Sequence, residues 1–374
     1  MNIVFVIDQY NDLNNGTSAT AQRTAKELEK LGHKVDVLAS GTVNNAGTVK
    51  KMHIPFFQNL IEAQGFALAK RPDEKVYEEA FKDADLIHFF LASPFCVKGM
   101  HVAEKMGKAR LAAFHVQPQN VTYSIGLGKS KWANNLVYKL FYKYFYSHFK
   151  YIHCPSEMIK EQLRIHNYPQ KLVVISNGVN EYFKPLDIKK PKSLDPYFVL
   201  LMVGRLSAEK RQDLLVEASK YSKYKDKLKI IFAGAGPKDK KLRRLAEDLE
   251  NEAIFGFYNE EQLRKIYNIS DLYIHCADAE IEGISCMEAI ACGAVPLISD
   301  SKFSASKNFA LTDKSTFKAN DPKDLAKHID FWLDHPEERA KYSKLYAEEG
   351  ERLHISNQIK DMESLYFKVL DAYK

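Results

Sequence analysis

Several absences narrow the function of this chain before any motif is read. No apolar run approaches the roughly 18 residues that cross a bilayer as a helix. The N-terminus, MNIVFVIDQY, sets Asp8 directly after a short apolar run, with no basic leader or cleavage site, so it reads as a core strand and not a signal peptide. The five cysteines form no C-x-x-C pair, and Cys154, Cys276, Cys286 and Cys292 sit inside apolar runs, a pattern that suits reduced thiols in a cytoplasmic protein. There is no zinc-ligand spacing, no RNP-like string and no helix-turn-helix signature, so nucleic acid is not an expected partner. Nor does a G-x-G-x-x-G follow the first strand with an acidic residue some 20 positions on, which argues against a nicotinamide dehydrogenase. The net charge of +6 is only mildly basic and leaves anionic lipid and phosphorylated substrates open.

What is present is a repeated alternation. With 374 residues, 45% of them hydrophobic, the chain can build two domains with a core each. In the first half NIVFVID, KVDVLAS, DLIHFF, RLAAFH, YIHCPS and KLVVIS have the length and apolar content of buried parallel strands, and TAQRTAKELEKLG reads as a helix ending at Gly32. The stretch FKPLDIKKPKSLDPY, framed by Pro185, Pro191 and Pro196, breaks the pattern. Alternation then resumes with YFVLLMVG, LKIIFAGAG, EAIFGF, DLYIHCA and AVPLISD. The expected class is α/β, with two Rossmann-like, doubly wound parallel-sheet domains facing a cleft: residues 1–185, a linker at 186–196, and 197–354. The cleft is then the default ligand site. The last helical segment, 355–374, either caps the second domain or crosses back to the first.

Two segments of the second half bear on phosphate. VGRLSAEK ends a strand at Gly204 and sets Arg205 and Lys210 before a helix, where a doubly wound sheet binds phosphate; the pair also reads as a solvated basic turn. Gly234 and Gly236 offer a second, weaker glycine turn. The segment EIEGISCMEAIACG is a loop leading into a helix that ends near Gly293. Gly283 lets a ligand approach the backbone, and Ile284 and Ser285 present amides at the helix N-terminus, which attracts phosphate. Glu288 lies about one turn inside that helix and Glu280 precedes the turn. Two carboxylates beside a phosphate would repel it unless they accept hydrogen bonds from sugar hydroxyls, so the set favours a nucleotide sugar. Glu282 reads as a solvated neighbour. A cation about 4 Å from a phosphate contributes on the order of 4 kcal/mol at an effective dielectric of 20, before desolvation. Two cations and a helix terminus can therefore stand in for a metal ion. A D-x-D string at Asp83 and Asp85 lies before a strand, remote from these ends, and reads as structural.

With VISNGV before the linker, these strings resemble the retaining glycosyltransferases of family 4, which have the GT-B fold, over essentially the full chain. The resemblance implies that Arg205 and Lys210 bind the diphosphate and stabilise it as it leaves, that Glu288 holds the ribose, that Glu280 contacts the hexose, and that the amides of Gly283, Ile284 and Ser285 touch phosphate or sugar. It places the base near Phe255, Gly256 and Phe257, and His115 near the transferred sugar. Gly16 stands where the family commonly has two adjacent glycines; here the string is Asn15-Gly16-Thr17. No cofactor or metal is implied beyond the donor, a UDP-sugar, with UDP-glucose the expected one. Retention without an evident carboxylate nucleophile in FHVQPQN favours a front-face mechanism.

The acceptor is addressed by residues 129–153, which combine Trp132, seven Tyr or Phe between 138 and 149, and five lysines. Such a helix can lie in the interface of an anionic membrane, with a lipid-linked hydroxyl acceptor at the inner face of the plasma membrane. The same residues also read as a core helix with a wet lysine face. A soluble or protein acceptor and a catalytically idle partner subunit are the remaining alternatives.

Overall fold

Strands buried on both faces need cover on both sides, as in β1 (Asn2–Val6), β3 (Leu86–Phe89), β4 (Ala109–Ala113) and β5 (Tyr151–Cys154), which form the first sheet together with the more exposed edge strands β2 (Lys34–Leu38) and β6 (Lys171–Val174). All pair in parallel, in the order β2-β1-β3-β4-β5-β6. The computed structural model describes residues 1–11, 16–53 and 67–374 and divides into two units, Met1–Asn177 with Ile355–Lys374, and Gly178–His354. Helices of the first unit include α1 (Gly16–Lys30), α2 (Pro94–Lys105) and α3 (Lys131–Tyr144). Pro94 starts α2 and the Ser93 hydroxyl accepts the Cys96 amide at 3.1 Å, a capped start that fixes where the chain leaves β3.

The second sheet comprises β7 (Phe198–Val203), β8 (Leu228–Ala233), β9 (Ile254–Gly256), β10 (Leu272–His275), β12 (Pro296–Ser299) and β14 (Thr316–Phe317), with β11 (Ala279–Glu280) and β13 (Phe303–Ser304) forming a two-residue ladder beside it. Its order is β9-β8-β7-β10-β12-β14, so the chain reverses direction across the sheet between β7 and β10. Ligands of doubly wound sheets bind outside the carboxyl ends of the strands at that reversal. Helix α4 (Ile284–Ala291) follows β11 and packs Cys286, Met287, Ala289 and Ile290 into the core. β14 is absent from the strands expected from sequence, since two residues carry no readable period.

The last helix, α5 (Ile355–Tyr373), belongs to the first unit. It buries Ile359, Met362, Leu365, Tyr366 and Val369; the His88 ring bonds the Tyr366 hydroxyl at 2.9 Å, and His33 meets Glu363 at 2.7 Å. The unit boundary falls after Asn177 and not at 185. Residues 186–196, expected as a linker, lie inside the second unit: the Leu186 amide donates to Asn268 at 2.6 Å, and Lys190 pairs with Asp271. Prolines break the strand and helix pattern there without detaching the segment.

Candidate active site

The second unit gathers most of the expected residues at the carboxyl ends of β7 and β10. Gly204 leaves β7 at φ +141°, and an added Cβ there would lie 3.9 Å from Lys210 Cε. Gly234 and Gly236 meet this turn directly: a Cβ on Gly234 would fall 2.1 Å from the Gly204 carbonyl oxygen, and one on Gly236 2.4 Å from that of Leu206. The second glycine turn therefore serves the close approach of two loops. Beyond it, Arg205 Nη2 donates to Glu209 Oε1 at 2.6 Å, the Ser207 hydroxyl donates to the same oxygen at 2.7 Å, and Gln212 donates to the Arg205 carbonyl at 2.8 Å. Burial pushes the Glu209 carboxyl up, and Arg205 with the two hydrogen bonds outweighs that and holds it below its ordinary value. Glu209 is thus an anion that fixes the guanidinium.

Lys210 forms an ion pair with Glu280, both side chains being less than one-fifth exposed. Glu280 Oε2 also lies 3.8 Å from His275 Nε2. His275, which ends β10, bonds the Ser306 hydroxyl at 3.1 Å and the Tyr273 hydroxyl at 3.2 Å. Burial lowers its pKa to about 4; Glu280 pulls it up and Lys210 pushes it down, so the ring is neutral at pH 7. Tyr273 in turn donates to Ser285 Oγ at 2.9 Å, which donates to the Val203 carbonyl at 3.3 Å and ties the start of α4 to the end of β7.

Gly283 stands immediately before α4 at φ +94°, ψ +61°, and a Cβ there would meet Ser306 Oγ at 2.2 Å. Only glycine fits both the left-handed backbone and that space. No side chain caps this helix start, so the amides of its first turn are not consumed by a side-chain cap. Glu288, one turn on, accepts a 3.0 Å hydrogen bond from the Tyr267 hydroxyl at Oε2. Glu282 departs from expectation: it is 3% exposed and not solvated, and its carbonyl accepts the Ser306 hydroxyl at 3.1 Å. Gly256 ends β9 and gives its carbonyl to the Gly234 amide at 2.8 Å, which places it two strands from Gly204. Phe257 follows it and is 60% exposed.

The remaining two residues belong to the first unit. His115 follows β4, buried and stacked on Phe90 with ring centroids 5.5 Å apart. Burial, then the neighbouring His153, keep its pKa well below the ordinary value, and its Nε2 has no hydrogen-bond partner among the described residues. A neutral imidazole with one free nitrogen can donate to or accept from a hydroxyl. Gly16 begins α1 in open space, with nothing within 4 Å of an added Cβ, so among the described residues nothing demands glycine there. Asn15 lies outside the described residues. Asp85 accepts the Asn2 amide at 2.7 Å and the Asp83 carbonyl accepts Asn2 Nδ2 at 3.1 Å, so the D-x-D string locks the amino ends of β1 and β3.

The aromatic, lysine-rich helix turns out to have two apolar faces. Ala133, Asn134 and Tyr138 are buried, and Asn134 is held by the Gly128 carbonyl at 3.0 Å and the Thr122 hydroxyl at 2.6 Å. Flanking that buried set, Trp132, Leu136, Leu140 and Tyr144, four residues apart, are 72, 40, 43 and 54% exposed, and Lys131, Lys139 and Lys143 in the same helix are exposed too. Spacing of four places them in one stripe. A cavity of about 440 Å³ opens next to it, walled by Val97, Leu140, Phe141 and Phe145 and also lined by Arg71 and Lys98. Among the described residues no helix is long and apolar enough to cross a membrane. All five cysteines are free and buried, and burial raises their pKa values.

Sequence reading missed His275, Tyr273, Tyr267, Ser306 and Glu209. His275 sits inside the apolar run DLYIHCA, and its signal, a histidine at the carboxyl end of a central strand, is the one that marks His115. Ser306 comes from another loop, and no local pattern points to it.

Comparison with known proteins bears on the family and the fold. The model of Glycosyltransferase Family 4 matches residues 14–182 and that of Glycosyl transferases group 1 matches residues 183–348. An alpha-monoglucosyldiacylglycerol synthase of Acholeplasma laidlawii is 24% identical, over 99% of this chain and 98% of its own length. A protein of the same name from Streptococcus pneumoniae is 25% identical over 78% of this chain and 70% of its own. Among solved structures, sucrose-phosphate synthase of Thermosynechococcus elongatus superposes with a TM-score of 0.75 at 18% identity, covering 99% of each chain, which is a likeness of fold.

Proposed function

Because the chain belongs to glycosyltransferase family 4 and has the GT-B fold of two Rossmann-like parallel-sheet units, we propose that it transfers glucose from UDP-glucose to the hydroxyl of a membrane lipid, with retention of configuration. The observation that carries the donor half is the convergence of Arg205, Lys210, the uncapped start of α4 and the two carboxylates Glu280 and Glu288 within one unit. Cations and helix amides meet the pyrophosphate. Glu288, oriented by Tyr267, accepts from the ribose hydroxyls, and Glu280 from the hexose. Gly204 and Gly283 let backbone approach the phosphates, and Gly256 and Phe257 border the base.

In the transfer the anomeric C–O bond to the β-phosphate breaks and a bond to the acceptor oxygen forms on the same face. The acceptor proton passes to the departing phosphate oxygen. Negative charge on that phosphate grows as the bond breaks, so Lys210 and Arg205 bind the transition state more tightly than the ground state. These cations supply the compensation that a metal gives elsewhere; turnover that survives exhaustive chelation is the expected check. His115, neutral and with a free Nε2, orients a sugar hydroxyl.

The acceptor half rests on α3. An exposed stripe of Trp, Leu, Leu and Tyr flanked by lysines suits insertion at the surface of an anionic membrane, and the adjoining cavity lies within the size range of small-ligand sites, roughly 300–1,000 Å³. The names of the two bacterial relatives support glucose as the sugar and a diacylglycerol as the acceptor. This reading puts the protein on the inner face of a bacterial plasma membrane. The test is a panel of nucleotide sugars offered with a total lipid extract and with soluble acceptors. Transfer from UDP-glucose to a lipid is expected; transfer only to soluble acceptors, or none with every donor, rejects the proposal, and the last outcome favours a partner subunit without activity.

A further inference from the structure

We propose a divalent transition-metal site formed by His101, Glu104 and His148, at the end of the first unit opposite the carboxyl ends of its strands. His101 and Glu104 are three apart near the end of α2 and share a face. His148 closes the short 3-10 turn that joins α3 to β5. These three positions therefore lie near the amino ends of β4 and β5, away from the residues assigned to transfer. Both imidazoles address one carboxylate oxygen: His148 Nδ1 is 3.2 Å from Glu104 Oε2 and His101 Nδ1 is 3.8 Å from it. All three ligand atoms lie within 4.8 Å of one another. Ligands of tetrahedral zinc at about 2.0–2.1 Å from the metal stand roughly 3.3 Å apart, so side-chain movements of at most about 1.5 Å bring the three ligand atoms to that spacing. The His101 side chain, half exposed, is free to make that movement.

Arg110 prepares the arrangement. Its Nη2 donates to the other carboxylate oxygen, Glu104 Oε1, at 2.7 Å, and its Nε donates to the His148 carbonyl at 3.1 Å. One guanidinium thus fixes the carboxylate and the backbone of a second ligand, the outer-shell role that orients metal ligands, and leaves Oε2 to the two rings. Its positive charge also opposes the ion, so binding is weaker than at a site with two carboxylates. Two imidazoles and one carboxylate suit zinc, cobalt or nickel; magnesium and calcium require oxygen ligands.

The site has a mechanical consequence. α2 and the segment ending α3 supply facing walls of the apolar cavity, Val97, Lys98 and His101 from one, Leu140, Phe141 and Phe145 from the other. A metal held by His101 and Glu104 on one side and His148 on the other clips these walls together. The inference does not depend on the glycosyl transfer.

The experiment titrates zinc chloride into the chelator-stripped, tag-free full chain by calorimetry and cobalt(II) by visible absorption, with thermal unfolding alongside. One equivalent of zinc is expected to bind and to raise the unfolding temperature. His101→Ala and His148→Ala should each weaken binding roughly tenfold or more. Because His101 is a surface residue, its alanine variant should unfold at the wild-type temperature when metal is absent. The proposal is overturned if the wild type takes up no stoichiometric zinc at about 100 μM, an affinity limit near 5–6 kcal/mol. It is equally overturned if the His101→Ala/His148→Ala double variant binds unchanged, or if cobalt shows a thiolate band that assigns the ion to cysteine.

Discussion

In the proposed transfer a pyrophosphate competes with Glu280 for Lys210, and the competition can be measured. Without ligand the Lys210 ammonium pairs with Glu280 in a site where both are largely buried. A pyrophosphate that recruits Lys210 has to loosen that pair and approach a second negative charge. Two unit charges about 4 Å apart at an effective dielectric near 20 interact by about 4 kcal/mol, most of it offset by desolvation. If a third survives, about 1.4 kcal/mol, Glu280→Gln should bind UDP roughly tenfold more tightly than wild type. The same substitution removes an acceptor for the hexose hydroxyls, so the gain should shrink or reverse for UDP-glucose, and turnover should fall. Calorimetric titration of UDP and UDP-glucose into both proteins, with initial rates of donor hydrolysis, reads all three quantities. A parallel effect on UDP and UDP-glucose, or weaker UDP binding in the variant, would refute a Glu280 that serves the sugar while restraining Lys210.

Other consequences follow from the same geometry. Lys210→Ala should depress kcat by more than it raises KM, since the phosphate charge grows along the reaction; equal losses count against that role. Glu288→Ala should weaken UDP binding by about 1–3 kcal/mol, and Tyr267→Phe by less, because it removes only the 3.0 Å hydrogen bond that aims the carboxylate; unchanged affinity in Glu288→Ala rejects the ribose contact. Lys139→Glu with Lys143→Glu should release the protein from anionic liposomes in a sedimentation assay while leaving donor hydrolysis intact, and persistent sedimentation removes α3 from the membrane. Acid should destabilise the fold. Burial holds His153 and His275 at a pKa of about 4 against an ordinary 6.5, so the unfolded chain binds protons first and stability present above pH 6.5 is lost as the pH falls toward 4, up to about 3 kcal/mol for each. Asp8, pushed up by burial to about 6, acts in the opposite sense below that pH, and His153 and His275, joined by His88 and His115, whose pKa values burial also lowers, outweigh it. Thermal unfolding midpoints should therefore drop between pH 7 and 4.5, and a flat profile contradicts the buried neutral rings.

Much of the architecture was legible in local pattern. Runs such as VLLMV and KIIFA are apolar on both faces and have a strand's length, which in water leaves a doubly covered parallel sheet as the available solution. The Gly283 turn and the glutamates around it could be placed on a loop and a helix because a left-handed residue, a helix start and a spacing of eight are properties of contiguous chain.

What contiguous chain could not reveal was contact between distant segments and the solvation that follows from it. Lys210 meets Glu280, Ser306 meets His275, and Tyr267 meets Glu288 only after β7, β10 and the β13 loop converge at the sheet reversal. Burial of Glu282 and neutrality of His275 follow from that convergence, because a group's charge state depends on the groups that displace its water. Helix α3 shows the division most clearly: its sequence left a membrane face and a core face both open, whereas its packing against Thr122, Phe114 and Tyr168 decided which residues were consumed by the core. Trp132, Leu136, Leu140 and Tyr144 were left outside it because one helix can bury only the stripe that faces its neighbours.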